Sequence, residues 1–236
     1  MIQHRKRIAA FAMTLWIVAT AGGCKKDAAK DAAAPAARVE SPLAERLNHM
    51  TPAAQVDTLR ALVAVDTTNA QLQFFSGNAY YQFATTLEAS APNREAYLDS
   101  ATSAYTRAVA SDSSMSKAYV NMGLAYQERH KPSEARRALE RAIEVNPQDV
   151  LAYCHLGYLS HMGGDLTEAV RQYNRALLID PNSAQAHYNL GLAFAENRVF
   201  GEALKEWELV VKLDPDGDLG KTAAENVRII QQYMTK

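Results

Sequence analysis

The chain has 236 residues, 48% of them hydrophobic and 22% charged, a balance that buries a sizeable core and excludes a disordered polyelectrolyte. Twenty-five Lys and Arg stand against 26 Asp and Glu, a net charge of -1. No basic field exists to gather nucleic acid.

In chain order, the cationic His4-Arg5-Lys6-Arg7 precedes an uncharged, mostly apolar run from Ile8 to Thr20 and then Ala21-Gly22-Gly23-Cys24. This is the grammar of a secretory signal, and the run falls short of the roughly 20 residues that cross a bilayer core. Small residues before a cysteine resemble the lipobox of bacterial lipoproteins, with Ala21 departing from the Leu most often found there. The resemblance implies that residues 1–23 are removed and that Cys24 becomes an acylated first residue. Several acyl chains, at about 0.8 kcal/mol per buried methylene, anchor durably where a single one does not. It also implies a protein lipid-anchored in the bacterial envelope, with Lys25 favouring the periplasmic face of the outer membrane. Residues 24–42 are rich in Ala, Lys and Asp with two prolines, and read as a flexible tether. Cys24 and Cys154, the two cysteines, have separate explanations, so no disulfide is expected.

Residues 43–69 carry two short apolar-periodic stretches that serve either as N-terminal capping helices or as a degraded helix pair. Residues 70–115 open with LQFFSGNAYYQFA, a helix centred on Gly77. Its partner, ATSAYTRAV, begins 24 residues after that glycine where the pattern downstream leads one to expect 12. An insertion between Thr85 and Tyr97 accounts for the difference, as a lengthened hairpin bending near Ala91-Pro92-Asn93.

From residue 116 the chain repeats itself. Gly123, Gly157 and Gly191 are 34 residues apart, as are Ala135, Ala169 and Ala203, and Pro147, Pro181 and Pro215. The units are 116–149, 150–183 and 184–217. Bulky side chains recur at position 4 (Tyr119, Tyr153, His187), position 7 (Met122, Leu156, Leu190) and position 24 (Leu139, Tyr173, Trp207). Position 11 holds Tyr126, Ser160 and Phe194, and position 27 Ala142, Ala176 and Val210. The small residues at 8 and 20 suit a close approach of two antiparallel helices, and Pro at 32 ends the second. Residues 218–236 place Ala223, Val227, Ile230 and Tyr233 on one stripe, as a terminal capping helix would.

This pattern resembles the tetratricopeptide repeat. The resemblance implies an all-α, right-handed α-solenoid whose concave wall is lined by the first helix of each repeat, and whose partners are proteins or peptide segments. Positions 5, 9 and 12 then form a groove row: Phe74, Asn78 and Tyr81; Val120, Leu124 and Gln127; Cys154, Tyr158 and His161; Tyr188, Leu192 and Ala195. Leu124, Leu192 and Ala195 either face a ligand or pack on the neighbouring repeat, whereas Tyr158 and Tyr188 are expected to touch the ligand. Members that grip a C-terminal carboxylate use Asn at the places of Asn78 and Asn121 and cations at those of Phe74, Leu151 and His155. Lacking these cations, the chain is not expected to bind such a carboxylate.

No HExxH, CxxC, GxGxxG or Walker pattern occurs in the sequence. His155 and His161, six residues apart on a helix, diverge by about 120° and make a poor metal pair. Cys154 reads as a small apolar filler in place of a reactive thiol. The expectation is a non-enzymatic scaffold with no cofactor, no metal and no small-molecule substrate. The alternative is an accessory subunit in cell-wall or polysaccharide synthesis, or in pilus, secretin or outer-membrane protein assembly.

Overall fold

The computed structural model describes residues 42–235, so the signal, Cys24 and most of the tether lie outside the described residues. Eleven helices and no strand occur among them. They are α1 Pro42–Asn48, α2 Pro52–Val65, α3 Ala70–Thr86, α4 Arg94–Ser111, α5 Ser116–Glu128, α6 Pro132–Val145, α7 Val150–Met162, α8 Leu166–Ile179, α9 Ala184–Glu196, α10 Phe200–Leu213 and α11 Asp218–Met234. Two compact units result, 42–156 and 157–235, with the division falling inside α7.

Short polar side chains start or stop several of these helices. The side chains of Thr51, Asn69, Asp165 and Ser183 accept from the backbone N–H three residues on, satisfying a donor that has no intrahelical partner. At the other end Asp66, Asp112, Asn146 and Asp180 turn extended, and each accepts the N–H two residues later at 3.0–3.2 Å. This is an Asx turn, which competes with continued helix. Proline follows at Pro147 and Pro181, but Asp66 and Asp112 stop their helices without one. The recurring terminator is therefore the Asx residue, and proline reinforces it.

The glycines at position 8 are notches for the side chain at position 24. In the unit 42–156, a Cβ on Gly77 would lie 2.5 Å from the Tyr105 ring, and one on Gly123 would lie 2.8 Å from Leu139. In the unit 157–235, the corresponding distances are 2.4 Å from Gly157 to Tyr173 and 2.5 Å from Gly191 to Trp207. Leu139, Tyr173 and Trp207 are fully buried, with Ala135, Ala169 and Ala203 beside them. The close approach expected from the small residues is thus chiefly that of a helix backbone to one large side chain.

Both helices of the first pair are longer than those that follow, 17 and 18 residues in α3 and α4 against 13 and 14 in α5 and α6. Residues 87–93 connect them, and Phe83 packs edge-on against Tyr97 at 4.6 Å across the added turn. Upstream, Leu47, Val56 and Leu59 bury against Ala79, Phe75 and Phe83. In the other unit, α11 buries Leu219, Ala223, Asn226 and Ile230, while Tyr233 stays at the edge against Phe200 at 5.6 Å.

Candidate interaction surface

The groove row falls on α3, α5, α7 and α9, and burial divides it. In the unit 42–156, Phe74, Asn78, Tyr81 and Gln127 are half-buried, whereas Val120, Leu124 and Cys154 are core residues. In the unit 157–235, Tyr158 and His161 are half-buried, and Tyr188, Leu192 and Ala195 are buried. An accessible wall remains at Phe74, Asn78, Tyr81 and Gln127 in one unit and at Tyr158 and His161 in the other.

Tyr188 corrects the expectation of ligand contact. Only 2% of it is exposed, because α11 covers it. The Asn226 amide donates to its hydroxyl at 3.4 Å, and the Trp207 indole N–H donates to its backbone carbonyl at 3.1 Å. Burial pushes its phenol up to about 12. Position logic took the wall as open, whereas here the terminal helix occupies it. Asn226 gave no warning, since a polar residue on an amphipathic helix ordinarily reads as solvent-facing. Leu124, Leu192 and Ala195, for which both readings stood, pack in the interior, as do Val120 and Cys154.

Asn78 and Asn121, which match the carboxylate-gripping asparagines, are turned to each other. Asn78 Oδ1 accepts from Asn121 Nδ2 at 2.8 Å and from the Tyr105 hydroxyl at 2.8 Å. One oxygen thus ties α3, α4 and α5 together. His155, at a place where those relatives carry a cation, is held neutral by burial, its pKa lowered to about 4. Gln127 Nε2 donates to the His155 carbonyl at a long 3.5 Å.

His161 Nε2 lies 2.8 Å from Glu196 Oε2, joining α7 to α9, and the sequence pattern had not singled out that carboxylate. His187 places one ring nitrogen 2.6 Å from Glu206 and the other 3.0 Å from the Pro181 carbonyl, fixing the position-4 side chain between α10 and the preceding turn. Among the described residues, no group of three His, Cys, Asp or Glu side chains gathers as a metal site would require. No helix among them is long and apolar enough to cross a membrane.

Paired helices with a glycine notch, a ring in the notch and an Asx stop define an all-α helical-repeat protein. Family patterns described as tetratricopeptide repeat match residues 116–149 and 138–171, and one described as TPR repeat matches 161–197. Residues 116–197 of the chain are tetratricopeptide repeats. Comparison with curated proteins yields no match. Among solved structures, a crystal structure of MamA is 21% identical, covers 68% of this chain and 86% of its own, and superposes with a TM-score of 0.57. The crystal structure of YrrB, described as a TPR protein with an unusual peptide-binding site, is 21% identical, covers 78% and 87%, and has a TM-score of 0.56. These likenesses are of fold.

Proposed function

We propose that the protein is a non-enzymatic adaptor of the bacterial envelope, tethered through acylated Cys24, that holds a segment of another envelope protein on the exposed part of its first-helix wall. The carrying observation is that wall itself. Phe74, Asn78, Tyr81 and Gln127 remain partly accessible on α3 and α5, and none of them is charged. Aromatic rings and carboxamides together suit an uncharged peptide segment, the rings offering contact area and the amides offering backbone hydrogen bonds. The family resemblance and the peptide-binding site ascribed to YrrB support the same reading.

The test is photo-crosslinking in living cells from a probe at Tyr81, followed by mass spectrometry. The expected result is one dominant envelope protein, whose capture falls at least tenfold in Phe74→Ala/Gln127→Ala. Unchanged capture in that variant overturns the wall assignment. The anchor is tested separately with a radioactive fatty acid. Label and membrane pelleting are expected to vanish in Cys24→Ser, and label retained on the variant overturns the lipid reading.

A further inference from the structure

The seam between α4 and α5 is built differently from the rest of the unit 42–156. Its fully buried part is alanine around a single ring, with Ala101, Ala108, Ala118 and Ala125 about Tyr105, and Phe74, Tyr80, Tyr81, Val109, Met115 and Met122 pack partly buried against it. Polar contacts supply much of the remainder. Arg129 is the C-cap residue of α5, where its backbone N–H donates to the Ala125 carbonyl, and its guanidinium reaches three successive turns of α4. It donates to Glu95 at 2.8 Å and to Thr102 Oγ1 at 3.1 Å, and it pairs with Asp99. Its neighbour Glu128 pairs with Arg94. Arg94 and Glu95 belong to the first turn of α4, in the longer of the two hairpins. The Arg129 side chain is 8% exposed, so its charge is largely withdrawn from water and depends on those acceptors.

We infer that Arg129 is an electrostatic latch that fastens the N-terminal helices α1 to α4 onto α5, and that this seam is where the unit 42–156 opens first. A planar guanidinium spanning residues 95, 99 and 102 holds one face of α4 as no single apolar contact in the alanine seam does. With the latch released, the alanines give little burial to keep the seam shut, and the cross-seam polar contacts that remain are chiefly the Asn78–Asn121 bond and the Arg94–Glu128 pair. The detached segment keeps only a small core of its own, Leu47, Val56, Leu59 and Ala79 with their neighbours, and is marginal by itself, so opening is followed by loss of its amide protection. The latch therefore makes presentation of the wall on α3 and α5 sensitive to ionic strength. The inference concerns the chain alone and stands whether or not a partner binds that wall.

Hydrogen exchange of the full chain, read by mass spectrometry, tests it. Arg129→Gln is expected to speed exchange in residues 70–111 on the order of tenfold while residues 132–145 and 184–235 keep wild-type rates. Raising salt from about 0.01 M to about 1 M shortens the screening length from about 30 Å to about 3 Å. In the wild type this should speed the same segment about threefold, and in Arg129→Gln the salt response should shrink to the part carried by the Arg94–Glu128 pair. Unchanged exchange in 70–111, an equal rise in 132–145, or a salt response undiminished by the substitution overturns the latch. Glu95→Gln/Asp99→Asn removes the same contacts from the α4 side, is expected to act in the same direction, and decides the matter if Arg129→Gln does not fold.

Discussion

The core of the unit 157–235 and one seam of the unit 42–156 use the same repeat but hold their helices together by different physics. In 157–235 the core is aromatic and aliphatic, with Trp207, Tyr188, Val210, Leu219 and Ile230 buried and Phe194, Phe200 and Leu204 against them. In 42–156 the seam between α4 and α5 is alanine-rich and stitched by Asn78, Asn121, Arg94, Glu128 and Arg129. Apolar burial is non-directional and insensitive to salt, whereas directional polar contacts depend on the charge and solvent around them. One repeat pattern thus supports one region that resists its surroundings and another that answers to them.

The comparison is broken most directly at Trp207. Trp207→Ala is expected to cost about 3–5 kcal/mol, because it removes both the transfer of a large ring and the filling of the Gly191 notch. Exchange should rise throughout 184–235 while 70–111 stays at wild-type rates, and a uniform rise would mean that the units do not differ as described. Second in size is the effect of acid on 42–156. The imidazole of His155 has its pKa lowered to about 4 by burial, while in the unfolded chain it titrates near about 6.5. Between these values the unfolded state binds a proton that the folded state does not, so stability rises with pH. The contribution is intact above about pH 6.5 and is lost progressively down to about pH 4, on the order of 3 kcal/mol in all. Urea unfolding at the two ends of that window should show this loss, and His155→Gln should remove most of it.

The smallest effect compares two notches. Gly191→Ala drives a methyl against the Trp207 indole, which is buried and hydrogen-bonded, whereas Gly123→Ala meets the branched end of Leu139. The first is expected to cost about 1–3 kcal/mol. The second should cost less, since the smaller Leu139 side chain has less to displace and Ala gains about 1 kcal/mol of helix propensity over Gly. Equal losses in thermal melts would contradict the account of what fills each notch.

Much of the fold was legible because its signals are local and periodic. The 34-residue spacing of Gly123, Gly157 and Gly191 located the helix pairs, and Pro92 marked the turn of the long hairpin. The stripe of α11 was legible too, with Ala223 and Ile230 buried and Val227 packed against the core, Tyr233 alone lying at its edge. The Asx stops were in plain view at Asp66 and Asp112, but proline drew the reading away from them. The candidate wall was only half legible. Position numbers locate a face of a helix, but they do not say which neighbour covers it, and Tyr188 is covered by a helix with no glycine landmark of its own. The Arg129 contacts were out of reach of the sequence because they depend on the added turn bringing residues 94, 95 and 99 level with the end of the next helix.

The glycine notches carry a consequence for how the chain finds its own pairings. A self-similar sequence invites a helix to pair with the wrong copy of its partner, a characteristic failure of repeat proteins. Here consecutive notches receive unlike fillers, Tyr105, then Leu139, then Tyr173, then Trp207. A leucine in a space shaped for an indole leaves a void, and an indole in a space shaped for leucine does not fit. Like keys cut to different wards, these side chains tell adjacent repeats apart, and errors of exchange between them are opposed by volume.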